Sequence, residues 1–445
     1  MDNMNSYADI ITFYNNIDDR NIDYLANIYK NKSFLNKSIK SFINTYIDND
    51  SINNKKVLLK PNWVLNNKKD QDDICLRTNN SITLALLEII LSKNPKSVII
   101  GDAPVQGSNW NKMMTDSFQK SIKVLSKEYN IPVFIKDFRR RIFNTDDNRP
   151  ITEINPISEY VIFDLGKESY LEPISNDRNI FRVTSYNPDR LAESHKTGVH
   201  KYCIAKELFD TDIVISLPKI KTHQKAGITC ALKNLVGLNG DKDFLPHHRI
   251  GGTGFGGDCY PGKNLLRLSA EYIMDSANRQ QGKWTYKPLV YSSAAFWKLS
   301  MPKKVHQMAA GWYGNDTTWR MVMDLNKIAV YGRSDGTITK TPQRQLYSLC
   351  DGIIAGQGDG PLNPEPLPLG ILSFTNHNGL NDICMATLMG FDYKKIALLK
   401  NQNIDFSDEK FEICVNGNKI SIYDLSKFAI KTIPPPGWVN YLNEI

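Results

Sequence analysis

Apolar and polar positions along the chain alternate between two rhythms. "KKVLLKPNWV" (55–64) is a short apolar run stopped by Pro61, which predicts a buried strand with Asn62 and Trp63 at its C-terminal end. "SITLALLEIILSK" (81–93) places Ile82, Leu86, Ile89 and Ile90 on one face at helical spacing, with Ser81 suited to cap it. "SVIIGDAP" (97–104) is again strand followed by loop. Strand, helix, strand in this order predicts a parallel α/β sheet. The pattern recurs in "HKYCIAKELFDTDIVISLPKIKTH" (200–223), read as a helix, the strand Ile213–Leu217 and a loop from Pro218 onward.

Around this frame, residues 1–50 read as peripheral helices, and "VFIKDF" and "YVIFDLG" as further strands. Residues 263–330 read as mostly helical. "LYSLCDGIIAGQGDGPLNPEPLPLG" (346–370) brings a loop rich in glycine and acid, and 371–392 reads as strand, loop and a helix over Leu380–Met389. The expected organisation is a two-lobed α/β protein: a helical extension (1–54), a first α/β lobe (55–250), a mainly helical insertion (251–330) and a second α/β lobe (331–445).

Composition narrows the function classes. The net charge of +8 is modest for 445 residues, and the lysines are scattered rather than run together, which argues against a dedicated nucleic-acid binder. No stretch reaches the ~18 apolar residues of a membrane span, and the N-terminus has an early acid without an apolar core, so neither a membrane protein nor a signal peptide is expected. The seven cysteines contain no C-x-x-C pair, which argues against a zinc ribbon, an iron–sulfur cluster or a redox dithiol. Reduced thiols in the cytoplasm are the simplest expectation.

Candidate chemistry gathers at strand ends, where open parallel sheets bind ligands. Lys60 and Asn62 follow one strand, Asp102 another, and Lys219, Lys221 and His223 a third. Two lysines and a histidine directly after a strand suit a carboxylate, a phosphate or a metal-bound anion. Thr229 is placed to cap a helix carrying Lys233, and Ala226-Gly227 lets backbone approach a ligand. A lysine on a largely apolar segment is paired to an acid, bound to an anion or used covalently. His247 and His248 are adjacent, so on extended backbone they point to opposite sides and at most one enters the site. Asp102 reads as a metal ligand, a general base or, in "GDAP", a turn residue. Asp351, Asp359 and Glu365 would face a cation or leave backbone amides for an anion, and Asp382 reads as a helix-start acid. "GTGFGG" matches the dinucleotide fingerprint at Gly252, Gly254 and Gly257 but follows no predicted strand, which excludes that reading.

These segments also carry a resemblance. "VLLKPNWV", "SVIIGDAP", "DIVISLPKIKTHQKAGITCALKNLVGL" and "DGIIAGQGDGPLNPEPLPLG" resemble the family called domain of unknown function 362 over about residues 55–400. Many relatives carry a four-iron ferredoxin module, whose cysteines are missing here, so the chain resembles the cluster-free branch. More distantly, His223, Ala226-Gly227 and Lys233, ten positions after the histidine, are similar to the nickel-pincer lactate racemases. That likeness implies a lactate-racemase-like fold, Lys233 as anchor of the pincer, His223 as acid/base, and His247 or His248 as a nickel ligand. Asp102 stands where that family has its second acid/base histidine.

The combined expectation is an enzyme acting on a small anionic molecule: a hydroxy acid, a sugar acid or a phosphate ester. The favoured reaction is isomerisation or epimerisation, with His223, Lys233 and Asp102 catalytic. Lys60, Asn62, Lys219, Lys221 and Thr229 would bind substrate, and His247 or His248 a divalent metal, nickel-pincer cofactor included. The alternative is a non-catalytic accessory protein that holds a metal or anion.

Overall fold

A computed structural model describes residues 5–14, 20–66, 74–143, 152–300 and 309–443. Its centre is a mostly parallel twelve-stranded sheet. Ile213–Leu217 lies mid-sheet, parallel to Lys56–Pro61 on one side and Gln345–Gln357 on the other. Ser97–Asp102 and Val133–Asp137 extend the parallel run outward from Lys56–Pro61. Beyond Gln345–Gln357 the order continues with Ile371–Thr375, Ser6–Thr12, Phe411–Val415 and Asn418–Lys419, and here antiparallel pairs enter. The mixed α/β class expected from the strand–helix–strand pattern is present.

Alternation along the strands divides the core. Val57 and Leu59 pack with Val98, Ile100 and Ile213 under the helices Ile22–Lys30, Lys32–Tyr46, Asn80–Leu91 and Asp116–Tyr129. Leu58 and Val214 face the other way, toward the helices Thr318–Tyr331 and Asn378–Leu388. Each fully buried aliphatic side chain of this kind contributes roughly 1.5–3 kcal/mol. The same alternation sends the ammonium of Lys60 to the Leu58 side, at the strand's C-terminal end.

The structure differs from the sequence reading in several places. Ser6–Thr12 is a strand inside the sheet, seated between Ile371–Thr375 and Phe411–Val415. Seven residues carry too little periodicity to signal that, because their partners lie more than 350 residues away. Residues 199–205, read as helix, form a strand that pairs with Tyr160–Asp164 in a small separate sheet. The loop expected from Pro218 is a hairpin, Lys219–His223 against Gly227–Thr229, whose cationic residues masked its strand character. Gln345–Gln357 runs thirteen residues, through the segment read as a glycine loop. The helices Leu265–Arg279, Tyr286–Leu299 and Thr318–Tyr331 occupy the expected helical region, and part of it, 301–308, lies outside the described residues. Among the described residues no helix is long and apolar enough to cross a membrane.

Candidate functional site

The parallel strands ending at Pro61, Asp102 and Leu217 stop at one edge of the sheet, and a cavity of about 220 Å³ opens there. It has room for about seven waters at ~30 Å³ each. Asn62, Asp102, Lys221, His223, Thr229 and Lys233 line it, joined by Lys225, Asn234, Lys242 and His247. Pro361 and Leu362 close one side, so the glycine-rich loop after Gln357 meets the histidine hairpin. The two are tied by Gln224 N–H donating to Gly360 O (3.1 Å) and Thr222 Oγ1–H donating to Gly358 O (3.0 Å).

The floor is a buried ion pair. Lys60 Nζ donates to Asp102 Oδ1 at 2.7 Å, to Pro61 O at 3.1 Å and to Asn234 Oδ1 at 3.2 Å. The other Asp102 oxygen accepts from the Trp63 amide at 2.8 Å. Burial lowers the Lys60 pKa, and Asp102 opposes that shift. Gly237 makes the packing feasible, since a Cβ there would stand 1.9 Å from Asp102 Oδ1 and 2.7 Å from Lys60 Nζ. Asp102 therefore meets the cavity with its charge already matched. Asn62 Nδ2 donates to Asn234 Oδ1 at 3.1 Å, and Asn62 Oδ1 has no donor among the described residues.

Above the floor the lining is cationic. Lys225 and Lys233 have no hydrogen-bond or ion-pair partner among the described residues, whereas Lys221 Nζ donates to Leu76 O (2.5 Å) and Lys242 Nζ to Ala103 O (3.3 Å). Burial is the first cause in bringing the ammonium pKa of Lys221 and Lys233 down to about 7, and that of Lys225 and Lys242 to about 8. Neighbouring lysines push the same way on Lys221 and Lys233. Among the described residues Asp102 is the single carboxylate in this lining, and Lys60 neutralises it.

The two cavity histidines are held in opposite tautomers. His223 Nδ1 accepts from the Lys225 amide at 3.0 Å, so a neutral ring carries its proton on Nε2. His247 Nδ1 lies 2.7 Å from Leu245 O, which can only accept, so its Nε2 is left with a lone pair. Burial first, and the nearby lysines after it, hold both imidazoles well below the usual histidine pKa. Both are neutral near pH 7, one offering a donor and the other an acceptor.

Other expected residues are placed elsewhere. Lys219 Nζ donates to Asp351 Oδ2 at 3.0 Å and to the Tyr29 hydroxyl at 3.1 Å, fully buried and outside the cavity lining. Period-two alternation would put Lys219, Lys221 and His223 on one face. An irregularity in the pairing with Gln345–Gln357, between Lys219↔Asp351 and Lys221↔Gly356, separates the first from the other two. Thr229 does not cap the Lys233 turn: the cap position of Ala231–Asn234 is Cys230, and Asp382 accepts from the Ala231 (2.8 Å) and Leu232 (3.0 Å) amides. Asp382 thus orients Lys233 from the helix Asn378–Leu388, whose own cap is His377. Trp438 Nε1 donates to Gln224 O at 2.7 Å, so an indole packs where Ala226-Gly227 was expected to admit a ligand. His247 and His248 do point apart: His248 lines a different cavity. Sequence reasoning missed Lys225, which sits inside the quoted histidine–lysine block, and Lys242, which carried no motif.

A family model matches residues 163–386, half of the chain. The chain belongs to the family described as Domain of unknown function (DUF362). The matched span of this DUF362 protein contains the hairpin lysines, both cavity histidines and Pro361, while Asn62 and Asp102 lie before it. No curated protein matches the chain. Among solved structures, the crystal structure of a Thermotoga maritima protein, Northeast Structural Genomics Consortium target VR152, is similar at 10% identity and a TM-score of 0.34. The alignment covers 78% of this chain and 55% of that one, so the DUF362 chain spans about half the length of that protein. A likeness of that size assigns no activity. None of these comparisons carries the likeness to lactate racemase.

Proposed function

We propose that this DUF362 protein is an enzyme that binds a small carboxylate or phosphate-bearing molecule in the lysine-lined cavity and moves a proton on it. The observation that carries this reading is a pair of lysines, Lys225 and Lys233, that have no hydrogen-bond or ion-pair partner among the described residues, in a lining whose one described carboxylate is already neutralised. Unpaired buried ammonium groups are costly, and an anion offsets that cost. Each charge-assisted hydrogen bond to it is worth about 1.5–3 kcal/mol.

The histidine tautomers supply the reaction class. His247 Nε2 accepts a proton from a substrate carbon or hydroxyl, and the His223 Nε2–H donates to the oxygen on which charge develops. Lys225 and Lys233 hold the anionic end, and Lys221 and Thr229 bound the space around it. That arrangement fits isomerisation or epimerisation of a hydroxy acid, a sugar acid or a phosphate ester. The roles that the pincer resemblance implies, cofactor anchor for Lys233 and metal ligand for His247, fit an unpartnered lysine and a proton-free Nε2; the bound group would then supply a redox centre. Asp102, held by Lys60 and the Trp63 amide, serves as the fixed counter-charge of the floor.

The test is proton exchange followed by NMR in D₂O over a panel of hydroxy acids, sugar acids and phosphorylated sugars, beside thermal stabilisation by each. A substrate should raise the melting temperature and gain deuterium at the reacting carbon. His247→Gln should keep the stabilisation and lose about 10²–10⁴ of the exchange rate. Stabilisation with no exchange by any member would make the protein an anion carrier. No stabilisation by any anion would remove the reading altogether.

A further inference from the structure

A second cluster lies on the opposite side of the His247–His248 step. His248, Cys259 and Glu271 are all buried, at 3%, 2% and 8% exposure, and each offers one ligand atom within 4.8 Å of the other two. We propose that these three residues bind a zinc-class divalent cation, at a site separate from the lysine cavity.

Three observations carry the site. The first is geometry: a His248 ring nitrogen, Nε2, stands 3.5 Å from Glu271 Oε1. Donors around a tetrahedral zinc, bonded at about 2.0–2.3 Å, stand roughly 3.3–3.6 Å apart. The second is orphaned polarity. Glu271 Oε1, the oxygen that faces His248 Nε2, is buried without a side-chain or backbone hydrogen-bond donor among the described residues other than the Cys259 thiol, which forms no disulfide. A buried carboxylate oxygen so poorly satisfied is costly, and a cation held by His248 Nε2, Glu271 Oε1 and Cys259 Sγ would satisfy it. The third is support behind the donors. The other Glu271 oxygen accepts from the Gly251 amide at 2.9 Å, and Gly251 O accepts from the Cys259 amide at 3.0 Å. One loop thus fixes the carboxylate and the thiol relative to each other. Gly257 lets that loop close, since a Cβ there would fall 2.1 Å from Ile250 O and 2.2 Å from Gly251 O.

The donor set selects the ion. Imidazole, thiolate and carboxylate together suit zinc rather than magnesium or calcium, which take oxygen ligands. A thiolate and a carboxylate also balance the two charges of the cation inside a buried volume. Three protein ligands leave one position open, and His248 and Glu271 border a cavity of about 380 Å³ lined by Met274, Trp297 and other apolar side chains between Leu265–Arg279 and Tyr286–Leu299. Water or a small ligand would fill that position from the cavity.

Cobalt(II) titration of the chelator-treated full chain tests this. One equivalent should produce the intense d–d bands of a tetrahedral site together with a thiolate-to-cobalt charge-transfer band, and zinc should displace both. Cys259→Ser should lose the charge-transfer band, Glu271→Gln should weaken binding, and His247→Gln should leave the spectrum unchanged. A measurement on the wild-type chain does not depend on the variants folding: alkylation of Cys259, followed by peptide mass, should slow when zinc is added. No stoichiometric cobalt spectrum, a charge-transfer band that survives in Cys259→Ser, or alkylation indifferent to zinc would each overturn the site. Failure of the anion reading leaves these expectations untouched.

Discussion

The Lys60–Asp102 pair sets the sharpest quantitative expectation. Lys60 is 0% exposed, and its ammonium is matched by one carboxylate at 2.7 Å and two carbonyl oxygens. Asp102→Asn keeps the volume and an acceptor for the Trp63 amide but leaves a buried ammonium without its counter-charge. Removing one partner of such a pair costs about 3–5 kcal/mol. At about 2.1 cal/mol/K per residue, 445 residues unfolding as one unit lose about 1 °C per kcal/mol, so the melting temperature should fall by about 3–5 °C. A smaller cooperative unit would show a larger fall. Lys60→Met should cost a similar amount, and the Lys60→Met/Asp102→Asn double variant should recover part of the sum, because neither charge is then stranded. Circular dichroism melts of the four proteins measure this, with NMR exchange rates alongside. An unchanged melt in Asp102→Asn, or strict additivity in the double variant, would refute the pair as a structural anchor. A stable Asp102→Asn protein that had lost only its exchange activity would return Asp102 to the acid/base role expected from sequence.

Four further outcomes follow from the same geometry. Lys233→Met should weaken anion binding about 10- to 150-fold, the loss of one charge-assisted hydrogen bond. Lys219→Met should leave binding alone and destabilise the fold, because Lys219 answers Asp351 outside the cavity; isothermal titration and thermal melts separate the two. Lys221 and Lys233 have folded pKa values of about 7, against the usual lysine value of about 10.4 in the unfolded chain, so between those pH values the unfolded chain binds more protons. The anion-free protein should therefore gain stability with rising pH across that window, while anion binding takes up protons and weakens above pH 7–8; titrations in buffers of different ionisation enthalpy read that uptake. Gly237→Ala would drive a methyl group into Asp102 Oδ1, and should cost at least about 1–3 kcal/mol and distort the cavity floor, seen as a lower melting temperature and weaker anion binding.

What the sequence determined by itself is local. Apolar runs ended by proline or glycine gave the strands Lys56–Pro61, Ser97–Asp102 and Ile213–Leu217 and the helix over 80–91, and parallel sheets bind ligands at such strand ends. That reasoning was enough to select His223 and Lys233, and to expect that His247 and His248 separate, because neighbours on extended backbone face opposite ways. Tertiary structure decided everything that depends on partners distant in sequence. Lys60 and Lys219 look alike as lysines at strand ends, yet one meets Asp102 and the other Asp351, 42 and 132 residues away. Asp382 caps a turn 150 residues before it, and Ser6–Thr12 completes a sheet whose neighbouring strands begin at 371 and 411. Lys225 and Lys233 stand out only because folding leaves them without a hydrogen-bonded or ion-paired acid among the described residues, and charge balance is a property of the space around a residue rather than of its place in the chain.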